Sequence, residues 1–411
     1  MPGPLSPITV LDLSRILAGP WCTQLLADLG ATVIKIERPG SGDDTRAWGP
    51  PYLRDAEGRD TSESAYYLSC NRGKRSVAVD FTQPEGERIV RELARSADVV
   101  VENYKVGGLA KYGLDHASLA RDNPRVVYCS ITGFGQSGPY ADRAGYDFIT
   151  QGMAGFMSVT GERDTRPGGG PQKAGIAISD LMSGMYATVA ILAALSERER
   201  TGRGRAIDLC LFDSAVAMMA TLNLNYLVTG QAPRRAGNAH QNIVPYEVFD
   251  CLDAPLILAV GNDAQFVRFC EVAGMPHWAA DPRYTTNAAR VRGRDEIVPE
   301  IAAVLRKRKR DDWLALLTPL GVPCGPINTL DQVFADPQAI ARGLRLDLPH
   351  SLGGIVPQVA TPIRYDDGPL DYTLPPPLLG EHTKIVLCER LGLAPGAIDD
   401  LAARGIVGTR P

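Results

Sequence analysis

The opening stretch alternates two apolar runs around one helix-like segment, and that alternation limits the possible folds more than any other feature. Residues 8–13 (ITVLDL) and 31–36 (ATVIKI) read as strands. Residues 21–29 (WCTQLLADL) read as the helix between them, with Pro20 suited to a first helical turn and Gly30 to the position just past the end. A strand, a helix and a strand at this spacing describe a βαβ unit, whose two strands run parallel. No G-x-G-x-x-G follows the first strand, which argues against a nicotinamide or flavin site.

The alternation continues. Pro84 opens a helix over 84–96, and residues 98–102 and 125–131 read as buried strands. Residues 175–209 read as a short strand, a turn at Ser179–Asp180, a long helix, a basic glycine turn and another strand. This layout predicts an α/β fold: a Rossmann-like large domain with a mostly parallel sheet, formed by residues 1–212 and 354–411. A linker helix over 213–232 leaves it. Residues 233–337 have a different texture and predict a smaller α+β domain, with paired strands at 246–251 and 255–260 and helices at 263–273, 297–307 and 311–318. A return linker over 338–353 leads to a final segment, proline-rich to Gly380 and then helical, expected to pack on the large domain. Long connections in both directions suit an intertwined oligomer.

Composition narrows the function classes. The 411 residues allow two or three domains, and 45% apolar with 22% charged residues is ordinary for a globular enzyme. A net charge of −4 gives no basic field for nucleic acid. Eight cysteines and five isolated histidines form no CxxC pair and no metal-ligand spacing, so buried free thiols in a reducing compartment are expected. The first residues carry no basic region followed by an apolar core. The most apolar helical segment, 187–195, reads as too short to span a bilayer. The expectation is a cytoplasmic protein with no membrane partner, no metal and no tightly bound cofactor.

Asp180 stands where the strand-like run gives way to the long helix. It reads either as an N-cap or as a carboxylate held ionised by the helix dipole. Ser183, Gly184 and Ala187 would let backbone approach that helix closely, for oxyanion stabilisation or for tight packing alone.

Several pieces occur in order: Leu17-Ala18-Gly19-Pro20 with Asp28-Leu29-Gly30-Ala31; Val33 to Glu37 followed by Arg38; Asn71-Arg72-Gly73-Lys74-Arg75-Ser76; Val101-Glu102-Asn103-Tyr104; Gly133-Phe134-Gly135 with Gly138-Pro139; and Asp180 with its helix and Thr201-Gly202-Arg203-Gly204. Together they resemble the class III CoA-transferases, which include formyl-CoA, carnitine and dicarboxylate transferases and the related α-methylacyl-CoA racemases. The resemblance implies an interlocked homodimer, coenzyme A and acyl-CoA as substrates, and Asp180 as the nucleophile. It places Ile16, Leu17, Ala18, Arg38, Asn71, Arg72, Lys74, Arg75, Asn103, Tyr104, Lys105, Lys111 and Tyr146 around the coenzyme. Lys111 stands where the formyl-CoA enzymes have an arginine, keeping the charge and losing the planar fork. Leu17 replaces their glutamine, which counts against oxalate exchange and points to another acid, with succinyl-CoA as donor and a glutarate-like or hydroxy-dicarboxylic acceptor. Arg15 and the loop from Arg46 to Trp48 are candidates to meet a distal carboxylate.

The racemases place a histidine in a Gly-His-Asp triplet, to move a proton at the α-carbon. Here the triplet is Gly145-Tyr146-Asp147, and a tyrosine is a poor base at neutral pH. Glu247 matches a glutamate of the racemase site, although a solvent-facing strand residue is the simpler reading. His240 lies in a polar loop nearby. CoA transfer is therefore favoured over racemisation, and both over a non-catalytic CoA-binding protein.

Overall fold

A computed structural model describes residues 3–410 apart from 353, 367 and 369. The chain divides into two compact units: Met1–Phe156, Ala174–Thr229 and Gln338–Pro411 form the first; Met157–Lys173 and Gly230–Pro337 form the second. Residues 157–173 thus group with the second unit and 213–229 with the first, which composition does not signal.

The first unit is built on a seven-stranded sheet. Across it lie Val407–Gly408, Lys74–Val79, Thr32–Glu37, Thr9–Asp12, Val99–Glu102, Val127–Thr132 and Ala206–Cys210. The last six run parallel, and Val407–Gly408 pairs antiparallel with Lys74–Val79. Numbered in chain order, the parallel strands follow 3-2-1-4-5-6, the doubly wound order of Rossmann folds. Side chains alternate between faces. Leu11, Ile34 and Val100 pack under the helix Pro84–Arg95 and the C-terminal helices Thr383–Leu391 and Pro395–Ala403. Val10, Val33, Val99 and Val101 pack under Ala18–Asp28 and Ile178–Thr201. The closing segment, helical after Gly380 as expected, therefore covers one face of the sheet.

Three local expectations need correction. No strand precedes Asp180: the helix begins at Ile178, so Asp180 lies inside its first turn and is not the N-cap. That helix has 24 residues, long enough and apolar enough in length and composition to cross a bilayer. Its buried stripe, including Ser183, Gly184, Ala187 and Ile191, instead packs within this unit. A Cβ on Gly184 would lie 2.7 Å from the Ala18 carbonyl oxygen, so the small residues serve close helix packing. Finally, the single linker helix expected over 213–232 is two, Leu211–Ala217 and Thr221–Thr229, broken where Ala220 takes a φ of 43°.

The second unit centres on a three-stranded antiparallel sheet. Tyr246–Asp250 and Pro255–Ala259 pair as expected, and the short strand Cys324–Pro326 joins them. Phe266, Phe269, Trp278, Ile297, Ile301 and Trp313 form its core.

Candidate active site

In a doubly wound sheet, ligands bind beyond the carboxyl ends of the strands where the strand order reverses. Here that point lies between Thr9–Asp12 and Val99–Glu102. The chain leaving the first strand supplies Arg15, Ile16, Leu17 and Ala18; the chain leaving the second supplies Asn103, Tyr104 and Lys105. All seven line one cavity of about 660 Å³, together with Gly133, Gly145, Tyr146, Asp147 and Asp180. Gly133 and Gly145 cross so closely that a Cβ on Gly133 would lie 2.2 Å from the Gly145 Cα. That crossing brings Tyr146 and Asp147 to the cavity wall.

Asp180 is half-buried, and its pKa is pushed up to about 7, first by burial and then by the neighbouring Asp147 carboxylate. The helix N-terminus works in the opposite direction, favouring the anion. A dipole-held, fully ionised carboxylate is thus only part of the picture: Asp180 changes charge near neutrality. Asp147 is fixed by its own bonds. Its Oδ1 accepts from the Ser179 N–H at 2.7 Å, and its Oδ2 accepts from Gln151 Nε2 at 2.6 Å. Gln151 Oε1 accepts in turn from the Ala174 N–H at 2.9 Å.

The N-terminus of Ala18–Asp28 also meets the cavity. No side chain caps it, and Ala18 lines the cavity, so its N–H is one of the donors that a first helical turn leaves without an intrahelical partner. Oriented donors of this kind can stabilise a developing oxyanion.

A second cavity of about 420 Å³ shares Arg15, Asp44, Tyr104 and Gly108 with the first. It is lined by Arg38 and Lys111, both exposed, and by the aromatic residues Phe81, Tyr104 and Tyr112. Cations beside aromatic faces suit a phosphate-bearing nucleotide.

The basic turn 71–75 lines neither cavity. Lys74 is fully buried, with Nζ 3.1 Å from Asp12 Oδ2 and bonded to the Pro20 carbonyl and Asn71 Oδ1. Arg72 is buried in a two-pronged pair with Asp28, at 2.9 and 2.6 Å. Asn71 Nδ2 donates to the Tyr67 carbonyl, and Arg75 pairs with Glu389. The Arg75 pair is exposed at the surface, whereas Asn71, Arg72 and Lys74 are bound inside the fold. The Arg46 expectation fails for the same reason: its guanidinium is buried against Glu37, Glu63 and Tyr67. Arg15 remains at the cavity, paired with Asp44.

Glu247, in the second unit, is only partly turned to solvent, with its Oε1 buried. It is half-buried, with its pKa raised by burial against the opposing pull of Arg163, Arg294 and Arg166. In the same unit, the His240 carbonyl accepts from Arg294 at 2.6 Å.

The sequence reading named Asp147 only as the neighbour of Tyr146 and passed over Asp43. Asp147 opens the helix Asp147–Met153 and Asp43 sits in a polar loop, and only the fold brings them to Ser179 and Ile16.

A doubly wound sheet with a carboxylate in its switch-point crevice, beside a cationic aromatic cleft, defines an enzyme acting on a nucleotide-bearing substrate. The family model for CoA-transferase family III matches residues 5–383. The chain is 53% identical over 386 residues to a succinate–glutarate CoA-transferase of Agrobacterium fabrum, covering 94% of this chain and 95% of that one. It is 43% identical to the succinyl-CoA:glutarate CoA-transferase of Mus musculus, covering 98% and 90%. Among solved structures, a CAIB/BAIF family protein from Brucella suis superposes with a TM-score of 0.83 at 48% identity, covering 95% of this chain and all of that one. The chain belongs to CoA-transferase family III, and it is an enzyme that transfers CoA between an acyl-CoA and an acid.

Proposed function

We propose that this enzyme moves CoA from succinyl-CoA to a dicarboxylic acid such as glutarate, with Asp180 as covalent nucleophile. The observation that carries the reading is the position of Asp180: in the first turn of Ile178–Thr201, open to the 660 Å³ cavity. The names of the relatives support the substrate pair.

The ionised Asp180 carboxylate attacks the donor thioester carbonyl; the C–S bond breaks, giving a mixed anhydride and CoA thiolate. The thiolate attacks the Asp180 carbonyl, releasing the donor carboxylate and leaving an aspartyl-CoA thioester. The acceptor carboxylate attacks that thioester and again frees the thiolate. The thiolate then takes the acceptor's acyl group from the anhydride and restores Asp180. Every step exchanges an acyl group between oxygen and sulfur, so no electron acceptor and no resident cofactor is required. Arg38 and Lys111 hold the coenzyme's phosphates, and Tyr104 lies between the two cavities.

The test has two arms. Wild type and Asp180→Ala are incubated with succinyl-CoA and a panel of carboxylic acids, and new acyl-CoA is measured. Deuterium uptake at the α-carbon of a 2-methylacyl-CoA is followed separately. We expect Asp180-dependent transfer, best with a dicarboxylic acceptor, and no deuterium uptake; the reverse result refutes the reading. Tyr146 in place of the racemase histidine supports transfer.

An interlocked homodimer is part of the same proposal. Met185, Tyr186 and Val189 on the Asp180 helix, and Leu224, Leu227 and Val228 after it, are large apolar side chains left exposed in one chain. Light scattering should give twice the chain mass, and a monomer would contradict the proposal. The eight free thiols support a reducing, cytoplasmic setting.

A further inference from the structure

The turn that joins the first strand to the helix Ala18–Asp28 is held in an unusual conformation. Ile16 has a φ of 72°, in the left-handed region that β-branched residues avoid. Its neighbours fix it from several sides. Asn103 clamps Arg15 reciprocally: its Oδ1 accepts from the Arg15 N–H at 2.8 Å, and its Nδ2 donates to the Arg15 carbonyl at 2.6 Å. Lys35 Nζ donates to the Ser14 carbonyl at 2.8 Å. The Ile16 N–H itself reaches Asp43 Oδ1 at 3.3 Å.

Asp43 is equipped to hold that bond. Its side chain is buried, and Oδ1 also accepts from the Thr45 N–H at 3.0 Å and the Thr45 hydroxyl at 2.7 Å. Oδ2 lies 3.0 Å from Lys35 Nζ, an ion pair rather than a directed hydrogen bond. Burial favours the neutral acid, but Lys35 and Thr45 outweigh it and keep the carboxyl below its ordinary pKa. A charged acceptor therefore faces Ile16 throughout the working pH range.

We propose that Asp43 is a positioning residue for CoA transfer: it holds Ile16 left-handed, which aims the first turn of Ala18–Asp28 into the cavity that carries Asp180. With φ negative at residue 16, the chain would leave in another direction and the Ala18 N–H would lose its aim. The inference rests on the reading of that cavity as the transfer site.

The test is rescue by glycine, which takes a positive φ without steric penalty. Asp43→Ala should lower kcat by about a hundredfold, as expected for a site displaced by roughly an ångström. Adding Ile16→Gly to Asp43→Ala should recover at least about tenfold, because glycine needs no tether to occupy the conformation. Normal kcat in Asp43→Ala overturns the inference, as does a loss that tracks only the folded fraction in thermal melts, or one that glycine leaves unrelieved. Where Asp43→Ala does not fold, Thr45→Val removes one donor to Oδ1. It should lower kcat severalfold, again relieved by Ile16→Gly, and unchanged kcat overturns the inference. Asp180→Ala is assayed in parallel. Transfer retained there refutes the site; transfer lost there, with no effect at Asp43, refutes only the positioning role.

Discussion

Asp147 accepts a 2.7 Å hydrogen bond from the Ser179 N–H, so one carboxylate anchors the helical turn that presents another, Asp180. The arrangement fixes the backbone of Asp180, the proposed nucleophile, and places a like charge beside it. That charge and burial together bring the Asp180 pKa to about 7.

The pH profile should show this. A protonated carboxyl is no nucleophile, so transfer should fall as pH drops through about 7. Asp147→Asn keeps an oxygen for the Ser179 N–H and removes the charge. Its acid limb should move to lower pH, measured as kcat/KM against pH; an unmoved limb would mean that burial alone sets the value.

Stability should vary with pH in the opposite sense. The folded pKa of about 7 lies above the ordinary 3.8, so Asp180's contribution is fully present below about 4 and lost as pH rises through 7. Asp180→Asn removes that loss. Discounted for solvent access, the variant should be more stable than wild type by on the order of 1–2 kcal/mol at pH 8. The difference should vanish near pH 4. Denaturant titrations at the two pH values measure it.

The basic residues should separate into two groups. Arg38→Ala and Lys111→Ala should raise the KM for acyl-CoA with little change in thermal midpoint, since both are exposed on the smaller cavity. Lys74→Met leaves Asp12 short of a partner in the core and should cost about 3–5 kcal/mol, read by urea unfolding. A Lys74 variant with normal stability and raised KM would return that residue to the coenzyme.

Gly184→Ala should disturb fold and site together. The added Cβ meets the Ala18 carbonyl oxygen at 2.7 Å, so the two helices must separate. We expect a loss of about 1–3 kcal/mol with a fall in kcat, because Ala18 lines the cavity.

The sheet was legible in the sequence because its strands are short apolar runs bounded by turn residues, and their order places the crevice. The start of a long helix near Asp180 was legible, but its local structure was not: 175–178 is apolar and strand-like, yet no strand pairs with it. The break at Ala220 carries no glycine or proline to announce it. The turn 71–75 misled for a different reason. Lys74 and Arg72 find their acids at Asp12 and Asp28, partners far along the chain that only the packed sheet brings near. Asp43 was hidden likewise, since a loop aspartate shows nothing of the backbone it will hold, and Asp147, noted only beside Tyr146, gave no sign of its bond to the Ser179 N–H.

The covalent step is the most direct test of all. Enzyme mixed with succinyl-CoA alone should accumulate an activated Asp180, and hydroxylamine should convert it to a hydroxamate. Mass spectrometry of the Asp180 peptide should show that adduct in wild type and not in Asp180→Ala, with loss of transfer in parallel. Turnover by wild type with Asp180 unmodified, or transfer retained by Asp180→Ala, would contradict the role of Asp180.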